Sequence, residues 1–164
     1  MAKAKWLNEA ELKAWRGFVT TAAELHRVIE SDLAQFGIDG GDYQLLAMLS
    51  EAPEHRMQLC ELAEILRLSR SGLTRRMEGV VKAKFVERVS AETDRRTAYA
   101  HLTDKGYTFL KKIAPAHVKS VRNRLIDHLS ENEIKAFGSA FSKIRKSLST
   151  PERRFANLGA GTFL

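Results

Sequence analysis

Apolar residues recur at spacings of three and four along the first part of the chain: Leu12, Trp15, Phe18, Val19, Ala22, Leu25, Ile29, Leu33 and Phe36. That period gathers them on one face of a helix. Asn8 with Glu11 three residues later predicts its start through a capping box, and Gly37 predicts its end. A helix of about 28 residues exceeds the usual globular length, so its stripe must pack against more than one small domain. Asp39, with Asp42 at the third helical position, predicts a second helix that buries Tyr43, Leu45, Leu46, Met48 and Leu49 and stops before Pro53. A short third helix is predicted over 58–66, with Leu59, Leu62, Ala63 and Leu66 inward. Arg67-Leu68-Ser69 then forms a three-residue turn. Ser69 caps a fourth helix that reaches Ala83 and buries Leu73, Met77 and Val80. Two such helices joined by a tight turn make a helix-turn-helix.

The period changes after Ala83. Phe85, Val86 and Val89 make a short strand-type run, and residues 97–102 alternate with period two. The polar segment 90–96 lies between them, which predicts a hairpin with a charged tip: a wing. Thr103 caps the next helix, which runs through Tyr107, Leu110 and Ile113 and on through Val118, Val121, Leu125, Ile126 and Leu129. Pro115 either kinks this helix or splits it. Ser130 and Glu133 form a second capping box before a last stripe of Ile134, Phe137, Phe141, Ile144 and Leu148. Residues 149–164 carry two glycines and little periodicity, and read as a loosely ordered tail.

Composition narrows the chemistry. The 164 residues carry a formal net charge of +7, which is distributed unevenly. Residues 1–54 are net −4, residues 55–104 are +3 and residues 105–164 are +8. Segregated positive charge points to a polyanion, nucleic acid before membrane. No apolar run approaches the roughly 18 residues that a membrane span needs, and the basic N-terminus is not followed by the apolar core of a signal peptide, so a cytoplasmic protein is expected. The single cysteine, Cys60, excludes an intrachain disulfide and a cysteine-based zinc cluster. It sits among apolar helix neighbours with no cation beside it, which reads as an inert core or boundary thiol. The five histidines lack close ligand spacing, and no phosphate-binding, zinc-protease or nucleophile-elbow motif is present. No enzyme, metal or resident cofactor is expected.

The fourth helix carries the positive signal. Ser69 at its cap and Arg70, Ser71, Thr74 and Arg75 on its outer face supply what major-groove reading requires. Guanidinium groups pair with guanine edges, and hydroxyls reach bases or phosphates. The alternative is a solvated basic face. A wing with Arg95-Arg96 directly after it favours double-stranded DNA as the partner.

At this point the chain resembles the MarR (multiple antibiotic resistance regulator) family. The wing carries Asp94-x-Arg96, and Leu102-Thr103-x-x-Gly106 follows it, as in that family. The order of elements matches over about residues 8–148. The resemblance implies a homodimeric transcription regulator, usually a repressor, released by a small phenolic or aromatic effector. It also implies that Arg96 enters the minor groove and that Asp94 braces the wing. There are departures. The family often has Arg-Gly-Leu before the wing, where this chain has Lys84-Phe85 and no glycine. Gly72 stands inside the recognition helix, either to let the backbone approach DNA or merely tolerated. Arg76 falls where that helix packs inward in many relatives. The family's peroxide sensors carry a reactive cysteine in the first helix, and this first helix has none.

The expected fold is therefore mainly α with a small β-hairpin wing: a winged helix-turn-helix with long N- and C-terminal dimerisation helices. Residues 8–36 and 103–148 form the dimerisation region, 39–102 the DNA-binding domain and 149–164 the tail. The surplus apolar stripes of the first and last helices point to a twofold partner, and so to a pseudo-palindromic site. Family likeness places an effector pocket between the dimer helices and the winged helix. A small aromatic acid there would take Trp15 and Tyr43 as walls and Arg16 or His117 as donor. The rival readings are an architectural DNA-binding protein without an effector and a winged helix used for protein contacts.

Overall fold

The computed structural model describes residues 4–90 and 97–148. The expected loose tail and the wing tip with Asp94, Arg95 and Arg96 lie outside the described residues. Helix α1 spans Glu9–Ala34 and begins on the predicted box: Asn8 Oδ1 accepts from the Glu11 N–H at 2.9 Å, and Glu11 Oε2 accepts from the Asn8 N–H at 2.8 Å. Gly37, with φ +75°, turns the chain after it. Helix α2 (Gly40–Glu51) starts on Asp39, whose Oδ1 accepts from the Asp42 N–H at 2.7 Å. Strand β1 (Arg56–Gln58), α3 (Leu59–Ile65) and α4 (Arg70–Lys82) follow, and Ser69 caps α4 as expected. Strands β2 (Val86–Ser90) and β3 (Ala98–Leu102) form the wing's hairpin. Helix α5 (Asp104–Arg124) and α6 (Glu131–Leu148) complete the order.

Four expectations need correction. The wing's sheet has three strands in the order β1-β3-β2, all antiparallel. Strand β1 is only three residues long, too short to declare a period, and exists because β3 pairs with it. Phe85 lies before β2 and instead stacks on Phe109, with ring centroids 4.3 Å apart. Helix α5 passes through Pro115 as one helix but ends at Arg124, with a 3-10 turn at 126–128 in place of the expected continuation to Leu129. Cys60 is exposed rather than in the core, and its Sγ donates to Gln58 Oε1 at 3.4 Å.

The core gathers under α2. Leu45, Leu46 and Leu49 meet Leu62, Met77, Val86, Leu102 and Ile113, each at most 2% exposed. Burying each large apolar side chain contributes about 1.5–3 kcal/mol relative to leaving it in water. Helix α1 joins this core at its C-terminal end, through the buried Leu33 and the half-buried Ile29. An ionic cluster fixes that end to α5: the buried Ser120 hydroxyl donates to Asp32 at 2.7 Å, and Arg124 donates to Asp32 at 2.6 Å. The rest of the α1 stripe finds little cover. Trp15, Phe18 and Val19 are exposed, as are Ile134, Phe137 and Ile144 of α6. Phe18 meets Phe141 at 5.7 Å, so the two helices share one partly uncovered apolar face.

The end of α4 is tied to the start of α5. The Thr103 hydroxyl donates to the Lys84 carbonyl at 2.8 Å, and its N–H donates to the Phe85 carbonyl at 3.0 Å. Lys105 Nζ donates to the Ala83 carbonyl at 2.8 Å. These bonds occupy carbonyls that a helix end leaves without intrahelical partners. Gly106 makes the approach possible: a Cβ there would sit 2.1 Å from the Phe85 carbonyl oxygen. Lys84, where the family often has glycine, has φ +60°, a left-handed conformation that costs a side-chain-bearing residue about 1–2 kcal/mol. Gly106→Ala is expected to lower stability by about 2–3 kcal/mol through that backbone clash. Lys84→Gly is expected to raise it by about 0.5–1 kcal/mol, the relief of strain exceeding the entropy that glycine loses. Denaturant midpoints at constant m-value measure both.

Candidate nucleic-acid interface

Helix α4 divides into two faces. Leu73, Met77 and Val80 are buried, while Ser69, Arg70, Ser71, Thr74 and Arg75 are all exposed. Ser69 is committed to capping: its Oγ accepts from the Gly72 N–H at 3.0 Å and lies 3.1 Å from the Ser71 Oγ. The turn before it closes with the Leu68 N–H on the Ala63 carbonyl at 2.8 Å, and Arg67 takes φ +54° there. This cap starts α4 with one face buried through Leu73 and Met77 and the opposite face, at 70, 71, 74 and 75, in solvent. A Cβ on Gly72 would lie 3.2 Å from the Ser69 Oγ, so the glycine relieves crowding at the cap.

Arg76 is the residue whose role the sequence concealed. Its guanidinium donates to Asp39 at 2.5–2.6 Å and to Asp42 at 3.3 Å. One arginine thus joins the middle of α4 to the capped start of α2. Gly41 leaves room for it, since a Cβ there would lie 2.6 Å from the Arg76 Cζ. Burial pushes the Asp39 carboxyl up, but the Arg76 hydrogen bond, the Asp42 N–H and the Arg76 charge together hold it below the ordinary value. Burial and the neighbouring Asp39 charge push Asp42 the other way, above its ordinary value. The only sequence-level signal was a pair of acids at a helix start and an arginine on the inward side of another helix.

Other arginines are also tied down: Arg56 to Glu54, Arg27 to Glu24, Arg122 to Asp127 and Arg124 to Asp32. By contrast, among the described residues Arg70, Arg75 and Arg88 make no ion pair. Unpaired guanidiniums on an exposed helix start suit a polyanion with planar acceptor edges.

The four residues expected to line an effector pocket are distributed over two places. Tyr43 of α2 and His117 of α5 come together, with ring centroids 4.1 Å apart. The His117 Nδ1 is buried without a hydrogen-bond partner, and burial lowers this histidine's pKa, favouring the neutral ring. Burial also pushes the Tyr43 hydroxyl up to about 12. Trp15 instead lies beside Phe18 at 6.2 Å, on the apolar face shared with α6, and Arg16 is exposed on α1. Among the described residues no group of three or more His, Cys, Asp or Glu is placed to hold a metal ion. No described helix is long and apolar enough to cross a membrane.

Arg76→Ala is expected to cost about 1–2 kcal/mol of stability, the pair being only partly buried, which chemical denaturation measures.

The geometry now has counterparts. Residues 36–97 match the model of the MarR family. The fold superposes on the crystal structure of AbsC, a MarR family transcriptional regulator from Streptomyces coelicolor, with a TM-score of 0.84 and 34% identity, covering 88% of this chain and 98% of that one. It superposes equally well on Sco3205, a MarR family transcriptional regulator from the same organism in complex with DNA: TM-score 0.87, 30% identity, 93% and 96% coverage. The HTH-type transcriptional repressor YetL of Bacillus subtilis (strain 168) is 22% identical over 142 residues, 84% of either chain. Likeness at this identity over nearly the whole fold places the chain in a family of regulators, not enzymes: it belongs to the MarR family, as a DNA-binding transcription regulator built on a winged helix.

Proposed function

We propose that this regulator is a homodimeric repressor that occupies a pseudo-palindromic operator. The observation that carries the reading is the division of arginines on α4. Arg76 is consumed by Asp39 and Asp42, while Arg70 and Arg75 stand exposed and unpaired beside Ser71 and Thr74. In this reading α4 lies in the major groove, where those side chains meet base edges, Arg96 of the wing reaches the adjacent minor groove, Arg95 contacts DNA beside it and Asp94 braces the wing. Sign of action follows the relative YetL, whose name is that of a repressor.

The homodimer rests on the uncovered face of α1 and α6. Trp15, Phe18, Val19, Phe137 and Ile144 are each at least 44% exposed, an apolar surface that the described residues of one chain leave in water. A second copy packed on that face buries it and sets two α4 helices on one side of a duplex. Residues 8–36 and 103–148 then serve dimerisation, and 39–102 serve DNA. A small aromatic acid acts as effector at Tyr43 and His117, where a buried ring nitrogen lacks a partner beside an aromatic wall. Trp15 and Arg16 lie on α1, which packs against the same α5.

The purified protein is expected to sediment at twice 18.5 kDa at micromolar concentration, and genome-wide capture of bound fragments should yield half-sites about 10 bp apart, centre to centre. Arg75→Ala costs about 1–3 kcal/mol at the recovered site and relaxes one position per half-site. Arg96→Ala weakens binding with less effect on major-groove preference. A variant lacking both arginines that binds at full strength would contradict this placement. In a calorimetric screen, aromatic acids are expected to bind and lower operator affinity, and His117→Ala to abolish that response.

A further inference from the structure

The turn that leads into β1 is held in a conformation its residues resist. Pro53 and Glu54 stand at its centre, and the His55 N–H donates to the Ala52 carbonyl at 3.0 Å. Glu54 and His55 both take left-handed backbone, with φ +53° and +54°. Among the described residues this is the one adjacent pair of side-chain-bearing residues so placed. Such backbone in a turn normally falls to glycine, and strain of this kind persists only where the surrounding structure enforces it. Two contacts act on this turn. The His55 ring stacks on Tyr107 of α5, with ring centroids 4.9 Å apart and planes 28° apart. Arg56 pairs with Glu54 at 2.6 Å, but both side chains are exposed, so that pair contributes little. The stack carries its own cost: the His55 Nδ1 is buried without a hydrogen-bond partner among the described residues. Backbone strain and an unsatisfied nitrogen are thus retained at one turn alongside one aromatic contact.

We propose that His55 is a positioning residue for DNA binding, whose stack on Tyr107 fixes the wing's sheet against α5. The proposal rests on the reading of the wing as a DNA contact and deepens it. The connectivity carries it. Arg56, next to His55, pairs in register with His101 of β3, and Met57 with Ala100. Strand β3 passes through Thr103 into α5, whose first turns carry Tyr107. The stack returns from Tyr107 to His55 and closes this circuit. Lys111 holds the ring from the next turn, its Nζ 5.0 Å from the Tyr107 centroid. Strand β1 has only three residues, shorter than a usual strand, so its own hydrogen bonds leave that edge of the sheet weakly fixed. The closed circuit restrains the edge, and with it the direction in which β2 and β3 leave the domain. The competing account is that the stack merely fills space at the end of α2. That account predicts lower stability and an unchanged operator affinity in the folded protein.

Operator affinity of variants confirmed folded by their melting curves separates the accounts. His55→Asn removes the ring but keeps a residue that accepts left-handed backbone. Tyr107→Leu removes the ring on the other side of the stack, and Tyr107→Phe keeps it. His55→Asn and Tyr107→Leu are each expected to weaken operator binding by roughly two- to tenfold, the scale of one aromatic pair, while Tyr107→Phe retains wild-type affinity. The loss disappears when Arg96→Ala is also present, because the wing contact that the stack positions is already gone. Wild-type affinity in either ring-deleted variant, or a loss of the same size with and without Arg96→Ala, overturns the positioning role and leaves DNA binding intact. Arg96→Ala without effect on affinity overturns the wing reading itself, and the proposal with it.

Discussion

The reversal between α4 and α5 is the constraint on which the rest depends. The Ala83, Lys84 and Phe85 carbonyls leave the recognition helix and are taken up at once by Lys105 and Thr103 at the start of the next helix. The approach is so close that no side chain fits at Gly106. One short junction therefore fixes the angle between the helix that reads DNA and the helix that leads toward the C-terminal arm. The wing leaves and returns through the same point, since β2 follows Phe85 and β3 ends at Leu102. Lys84 bears the strain of that turn in a left-handed conformation.

A second tie holds α4 from the other side. Arg76 reaches Asp39 and Asp42 at the start of α2, so the recognition helix is anchored by charge at its middle and by carbonyl capture at its end. The exposed N-terminal half carries no such tie. It is free to spend its donors on a ligand, and Arg70 and Arg75 remain available for that purpose. The arrangement shows how a helix rich in arginine separates structural from functional guanidiniums: position 76 meets two carboxylates, and positions 70 and 75 meet solvent.

Polar and apolar surfaces are separated along the long axis of the chain. The winged helix has a complete core, closed by α2, β3 and the middle of α5. The N-terminal half of α1 and the whole of α6 do not: α6 contains no buried residue. Both helices form because their caps and periods are locally sufficient, yet among the described residues their uncovered apolar faces meet chiefly each other. A helix whose face stays wet gains little from burial, which is why such a face belongs with a second surface.

Local signals made much of this legible. Caps act within three residues, so Asn8, Asp39, Ser69, Thr103 and Ser130 each marked a helix start that the structure contains. Helical periods act within four, so the inward residues of α2 and α4 were also readable. The hairpin followed from its period of two. The outward side chains of α4 followed from the same helical period that buries Leu73 and Met77. What lay beyond sequence were pairings between distant segments. Strand β1 needs β3 to exist, and its three residues announce nothing alone. Arg76 and Asp39 are 37 positions apart, and only packing of α4 on α2 brings them together. Tyr43 met His117, whereas Trp15 joined Phe18, because α1 turns its N-terminal half away from the core. Short-range hydrogen bonds and periodicity are written in neighbouring residues. Which charges are neutralised and which remain free is decided only when remote elements pack.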